Sequence, residues 1–218
     1  VGVSNINIMS YVTIMTTGNS VDFGDLETGA YNIIGCSNST RGIWFGGTNP
    51  TPAGHLTKIQ YNTIATLGNS IDFGDLTQAR IGVSAAASKT RGVFAGGQPA
   101  SPGSIPGGNG ENTIDYVTIA TTGDATDFGD LPATRSGCFG SSNGTIAYFF
   151  GGDDGDEHDD MYAITIATTG NASSLGRLDP TGNQGEKAFG GAASDATRMI
   201  IAGGRTKVSQ NGYRTDMI

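Results

Sequence analysis

Hydrophobic residues in this chain fall in short runs rich in Val, Ile, Thr, Tyr and Phe, broken by Gly, Asn, Asp and Ser, and no stretch carries the 3.6-residue period of an amphipathic helix. The strongest run recurs. Residues 116–131 (YVTIATTGDATDFGDL) have close copies at 11–26 and 61–76 and a diverged one at 163–178. The turn glycines Gly18, Gly68, Gly123 and Gly170 are spaced by 50, 55 and 47 residues, a period that marks a solenoid, a propeller or an array.

Turn chemistry divides each repeat into four short strands. The first is a small-residue run at 31–36, 81–87, 136–140 and 187–193. After a polar turn, a second strand at 41–47, 91–97, 146–152 and 198–204 ends in a Gly-Gly doublet every time. Glycine inside a strand costs backbone entropy, so the doublets predict a close approach by a neighbouring sheet. A loop of varying length follows, then a β-branched third strand (114–121 in the clearest copy), a Gly-Asn or Gly-Asp turn, and a fourth strand, D-F-G-D-L, anchored by Phe23, Phe73, Phe128 and, in the last copy, Leu175.

Composition narrows the partners. A formal charge of −8 argues against binding nucleic acid or anionic lipid, which needs clustered Lys and Arg. No apolar stretch is long enough for a membrane helix, so no membrane insertion is expected, and the first residues lack a signal-peptide pattern. Cys36 and Cys138 occupy non-equivalent repeat positions and read as free packing thiols.

Four antiparallel strands per repeat are the pattern of β-propeller blades. From Leu76 onward the order Arg80-x-Gly82, small residues, Phe94-x-Gly96-Gly97, a loop, Ile114-x-Tyr116 and Asp127-Phe128-x-x-Leu131-Pro132 resembles a kelch repeat, with Phe128 where kelch usually has Trp. The wording of the repeat also resembles repeat proteins of marine bacteriophages, especially those infecting cyanobacteria. The resemblance implies an all-β fold: one kelch-like propeller domain over 1–218, with blades at 27–76, 77–131 and 132–178 and a fourth, closing blade built from 1–26 and 183–204. Residues 205–218 are then a tail or the start of a further blade. It implies a non-enzymatic virion structural or adhesion module, a phage fibre or capsid-decorating propeller located on the virion or outside the cell. Such a module would bind other virion proteins or a host surface glycan, or form a homo-oligomer. The alternative is a carbohydrate-active or other secreted enzyme on the same scaffold.

Chemistry is sparse. The D-F-G triplets match the magnesium motif of protein kinases, but they recur with the repeat and no H-R-D loop accompanies them, so they are scaffold, and their aspartates are expected to accept hydrogen bonds from turn amides. No serine, cysteine or histidine setting predicts a catalytic residue. Binding is expected in the variable loops, at Asn49, His55, Gln98, Ser104, Asn109, Asp153, Asp156, His158 and Tyr213. No cofactor is expected. The single metal candidate is calcium on Asp153, Asp154, Asp156 and Asp159, because six acidic residues crowd positions 153–160 and hard cations favour dense carboxylate oxygen.

Overall fold

The structure is a computed structural model and describes residues 7–50, 53–99, 110–179 and 188–205. All described regular structure is β. The chain begins with the hairpin β1 (Ile8–Tyr11) and β2 (Val21–Asp25). Next come β3 (Ile34–Ser37), β4 (Arg41–Phe45), a small hairpin β5 (Thr48–Pro50) and β6 (Ala53–His55), then β7 (Lys58–Thr63) and β8 (Ile71–Asp75). The third unit has β9 (Arg80–Ile81), β10 (Ser84–Ala87), β11 (Arg91–Ala95), β12 (Gln98–Pro99), β13 (Glu111–Thr118) and β14 (Thr126–Arg135). The fourth has β15 (Phe139–Ser142), β16 (Ile146–Phe150), β17 (Asp160–Thr165) and β18 (Ser173–Arg177), and β19 (Gly191–Ser194) and β20 (Met199–Ala202) form a last hairpin.

The described strands form seven separate open sheets. Three are four-stranded meanders, β3-β4-β7-β8, β10-β11-β13-β14 and β15-β16-β17-β18, and four are two-stranded. This overturns the expected closed, kelch-like four-blade propeller. Closure required β20 to pair with β1, yet β20 pairs only with β19 and β1 only with β2. The described contacts between sheets run along the sequence, β3 with β10, β10 with β15 and β15 with β19, and no described strand pairing returns from the last hairpin to the first.

The first strand of each unit is shorter than its sequence suggests. A left-handed residue at Asn32, Gly82, Gly137 and Phe189, with φ of 56–64°, cuts the run in two. The part before the kink bridges to the residue following the Gly-Gly doublet, as in Tyr31 with Thr48, Ser136 with Asp153 and Ala188 with Arg205. Only the part after it enters the main sheet. The doublets serve both backbone and packing: Gly46 and Gly96 have φ of +64° and +67°, and a Cβ there would lie 2.7 Å from the carbonyl oxygen of Arg80 in β9 and 2.5 Å from that of Arg135 at the end of β14.

The D-F-G triplet is a β-bulge. In the four hairpins the register skips Phe23, Phe73, Phe128 and Leu175, so the carbonyl of each lies outside the ladder. The next unit's turn uses it: Gly68 N–H donates to Phe23 O, Gly123 to Phe73 O and Gly170 to Phe128 O, at 2.7–2.8 Å. Two residues on, the amides of Ser70, Ala125 and Ala172 donate to the carbonyls of Asp25, Asp75 and Asp130, all at 2.8 Å. The side-chain oxygens of Asn69, Asp124 and Asn171 accept in return from the amides of those three aspartates at 3.0 Å. The expected role of the aspartate side chains is thus corrected: backbone carbonyls accept the turn amides, and the turn's own Asn or Asp closes the latch.

Packing follows the latch. Ile43, Phe45, Ile59 and Phe73 of the second unit share one buried cluster with Phe94, Val117 and Ile119 of the third. Val93, Ala95, Ile114 and Phe128 of the third share another with Phe149, Tyr162, Ile164 and Ile166 of the fourth. Each fully buried side chain of this size contributes about 1.5–3 kcal/mol. A unit therefore buries one face of its sheet under the strands of the following unit.

Arg80 sits within this packing with no accessible side-chain surface. It donates to Asp115 at 2.6 Å and to the carbonyls of Gly96 and Thr113, while Thr77 donates its hydroxyl to Asp115 at 2.8 Å. The second unit solves the same position without charge. Ala30 replaces Arg80, and Gln60 replaces Asp115, exchanging two hydrogen bonds with the backbone of Thr28.

Candidate functional site

The loops after the Gly-Gly doublets are the first candidates, because they alone vary between units. Asn49 and His55 lie in the β5-β6 hairpin, Asn49 opposite Gly54 and His55 opposite Thr48. Burial holds the His55 pKa below the usual histidine value, against the opposing effect of a hydrogen bond to the backbone of Pro99. Gln98 is buried in β12, opposite Ile81. Ser104, Asn109 and Tyr213 lie outside the described residues.

The acidic loop is tied into the scaffold by arginines that its composition does not reveal. Arg135 donates to Asp154 and Asp160 at 2.9 and 2.8 Å, Arg177 pairs with Asp159 at 2.7 Å, and Arg205 reaches both Asp153 and Glu157. His158 completes the set through Asp154 at 2.8 Å. Partial burial alone would raise the Asp154 pKa. The hydrogen bond from His158 and the nearby charges of His158 and Arg135 outweigh it and hold the carboxyl below its ordinary value. Asp156 is exposed at the tip. Among the described residues no three His, Cys, Asp or Glu side chains are grouped to hold a metal ion. The carboxylates converge instead on three guanidinium groups, and Asp153 and Glu157, both buried, share Arg205 from the next unit. This arrangement suits a structural tie between two units.

Both thiols are free. Burial pushes the pKa of Cys36 and Cys138 up to about 12. At pH 8 both are expected to react with DTNB at least about a hundredfold more slowly in the native protein than in guanidinium, because the thiolate is the nucleophile. Fast labelling of either in the native state would show that the inner strands open readily.

Exposed apolar residues of the first hairpin and a groove beside β19 and β20 are the other candidate surfaces, and sequence reasoning placed no site there. In the third and fourth units the third-strand pairs Val117 and Ile119, and Ile164 and Ile166, are buried, whereas in the second unit Ile64 is 48% exposed. Their equivalents in the first hairpin, Val12 and Ile14, are 59% and 93% exposed. At the far end a groove of about 380 Å³ lies between the fourth sheet and the last hairpin, lined by Tyr148, Phe150, Met161, Leu175, Met199 and Ile201. Ile200 beside it is 67% exposed.

No protein-family model matches the chain, and no curated protein matches it. With neither a closed ring nor a relative to carry it, the expected virion structural or adhesion module is withdrawn, along with its tail-fibre and host-attachment assignments. The glycan-active enzyme on a kelch scaffold loses its premise with the scaffold.

Proposed function

We propose that this chain is a non-enzymatic structural module, a row of repeated sheets in which each unit is latched onto the next. One observation carries the reading. The same backbone latch recurs at three successive joints, Gly68 on Phe23, Gly123 on Phe73 and Gly170 on Phe128. Stability in such a row is a sum of unit and nearest-neighbour terms, so a weakened joint loosens the units beside it and leaves distant ones folded. Asn171→Ala, which removes the side-chain acceptor of the Asp130 amide, is expected to speed hydrogen exchange at the amides of Asp130, Gly170 and Ala172 at least about tenfold while those of Gly68 and Ser70 keep their protection. Equal acceleration at all three joints would refute the reading.

A further inference from the structure

The structure assigns a self-modification site to the turn between β15 and β16: Asn143 is set to lose its side-chain amide to the backbone nitrogen of Gly144, without an enzyme, and to become aspartate or isoaspartate. The turn belongs to a set. In the four described turns from first to second strand, the opening residue accepts two backbone amides on its side-chain oxygen. Asn38 accepts from Thr40 and Arg41 at 2.9 Å, Ser88 from Thr90 and Arg91 at 3.2 and 3.0 Å, Asn143 from Thr145 and Ile146 at 3.0 and 2.9 Å, and Asp195 from Thr197 and Arg198 at 2.7 Å.

The second position separates them. It holds Ser39, Lys89 and Ala196 in three turns, none with positive φ, whereas Gly144 has φ of +86° and a Cβ built there would meet nothing within 4 Å. Asn143 and Gly144 are both exposed. The Gly144 nitrogen thus has no side chain of its own residue to shield it, and its hydrogen bond to Ser142 Oγ is long at 3.4 Å. Two further Asn-Gly pairs, at 109–110 and 211–212, lie partly or wholly outside the described residues.

The reaction uses the chain and water alone. As solvent base takes the Gly144 N–H proton, the nitrogen attacks Asn143 Cγ and negative charge gathers on Oδ1. The Cγ–Nδ2 bond then breaks, ammonia leaves and a succinimide ring closes. Water opens the ring at one carbonyl to give aspartate, and at the other to give isoaspartate, whose main chain runs through the former side chain. The amides of Thr145 and Ile146 already point at Oδ1, so the turn carries preorganised donors where the charge develops. Asp195 indicates that an aspartate fits such a turn: hydrogen bonds from the amides of Thr197 and Arg198 and from the Thr197 hydroxyl hold its carboxyl below the ordinary pKa. Isoaspartate instead lengthens the main chain beside Ser142, whose hydroxyl donates to Ala87 O of the third unit and whose carbonyl accepts from Ser194. That product strains the contacts on both sides of the fourth unit.

Peptide mass spectrometry of the native protein, aged in mildly alkaline buffer, tests the site. Asn143 should convert at least about tenfold faster than Asn38, which has the same two donors but is followed by Ser39, because glycine alone leaves the attacking nitrogen unhindered. Gly144→Ser should bring conversion at 143 down to the Asn38 rate. The same ageing in guanidinium separates the folded turn from the bare dipeptide: the native rate at Asn143 should stay within about tenfold of the unfolded one, since the donors to Oδ1 offset the loss of chain freedom. Equal rates at Asn143 and Asn38 in the wild-type protein, or a native rate at Asn143 more than about tenfold below that in guanidinium, would overturn the assignment. Both comparisons are made on the wild-type chain, so neither depends on the folding of a variant.

Discussion

Asp115→Ala is expected to destabilise the protein by about 3–5 kcal/mol, since it strands the guanidinium of Arg80 in the interior without its counter-charge. For a domain of this size that corresponds to a fall in melting temperature of roughly 10 °C. The cost comes from the partner left behind more than from the bond removed. Desolvation already pulls the Arg80 pKa down, and Asp115 opposes that pull. The neighbouring unit indicates how the position tolerates neutrality: Ala30 and Gln60 fill it without charge. The double variant Arg80→Ala with Asp115→Gln should therefore be more stable than Asp115→Ala by at least about 1 kcal/mol, with the residual loss set by the cavity where Arg80 stood. Denaturant titration of the three proteins measures this directly. If the double variant is no better than the single one, the ion pair is not what makes Asp115 important.

The second large effect is expected at the latch. In Gly129→Ala the new methyl would sit 2.6 Å from the carbonyl carbon and oxygen of Gly170, in a backbone with φ of +141°. Overlap with backbone that cannot rotate away adds to the strain of an unfavourable conformation, and together they cost roughly 2–6 kcal/mol. Gly176→Ala is the internal control. Its φ is +120° and its Cβ would meet nothing, so it should cost only the conformational strain, about 1–3 kcal/mol. Hydrogen exchange adds a local readout: Gly129→Ala should speed exchange at the amides of Gly170 and Ala172, which close that joint, while the amides of Gly68 and Ser70 keep their protection. Equal losses for the two glycine variants would mean that close approach is not what selects glycine at this bulge.

The parts of the fold legible in the sequence were those set by neighbours along the chain. The β-branched third strands, the Gly-Asn and Gly-Asp turns and the Gly-Gly doublets marked where strands run and turn, because a turn needs its residues within four positions of one another. Closure depends instead on how one sheet sits against the next, and no residue of the repeat encodes that angle alone. The D-F-G triplet shows the same boundary. Its recurrence announced a scaffold role, yet the bulge that explains it appears only when Phe128 is seen to be skipped in the register between Ile114 with Gly129 and Asp115 with Asp127. The left-handed kink in the first strand could be suspected from Gly82 and Gly137, but Asn32 and Phe189 adopt it without glycine. At the candidate sites, composition displayed the carboxylates of the acidic loop and concealed their partners, since Arg205 lies 52 residues from Asp153. Val12 and Ile14 looked like any other third-strand residues, and their exposure is seen only in the structure.

The direction of the latch also bears on how the protein is made. A bulge is formed by the hairpin of its own unit, but the amides that occupy its free carbonyl belong to the turn of the unit that follows, 45 residues later in the case of Phe23 and Gly68. At a synthesis rate of about 5–20 residues per second, each nascent unit leaves the ribosome with an open carbonyl pair and waits roughly 2–9 s for its cover. The row thus matures one unit behind the ribosome, and the unit most recently translated is always the one most exposed to mispairing.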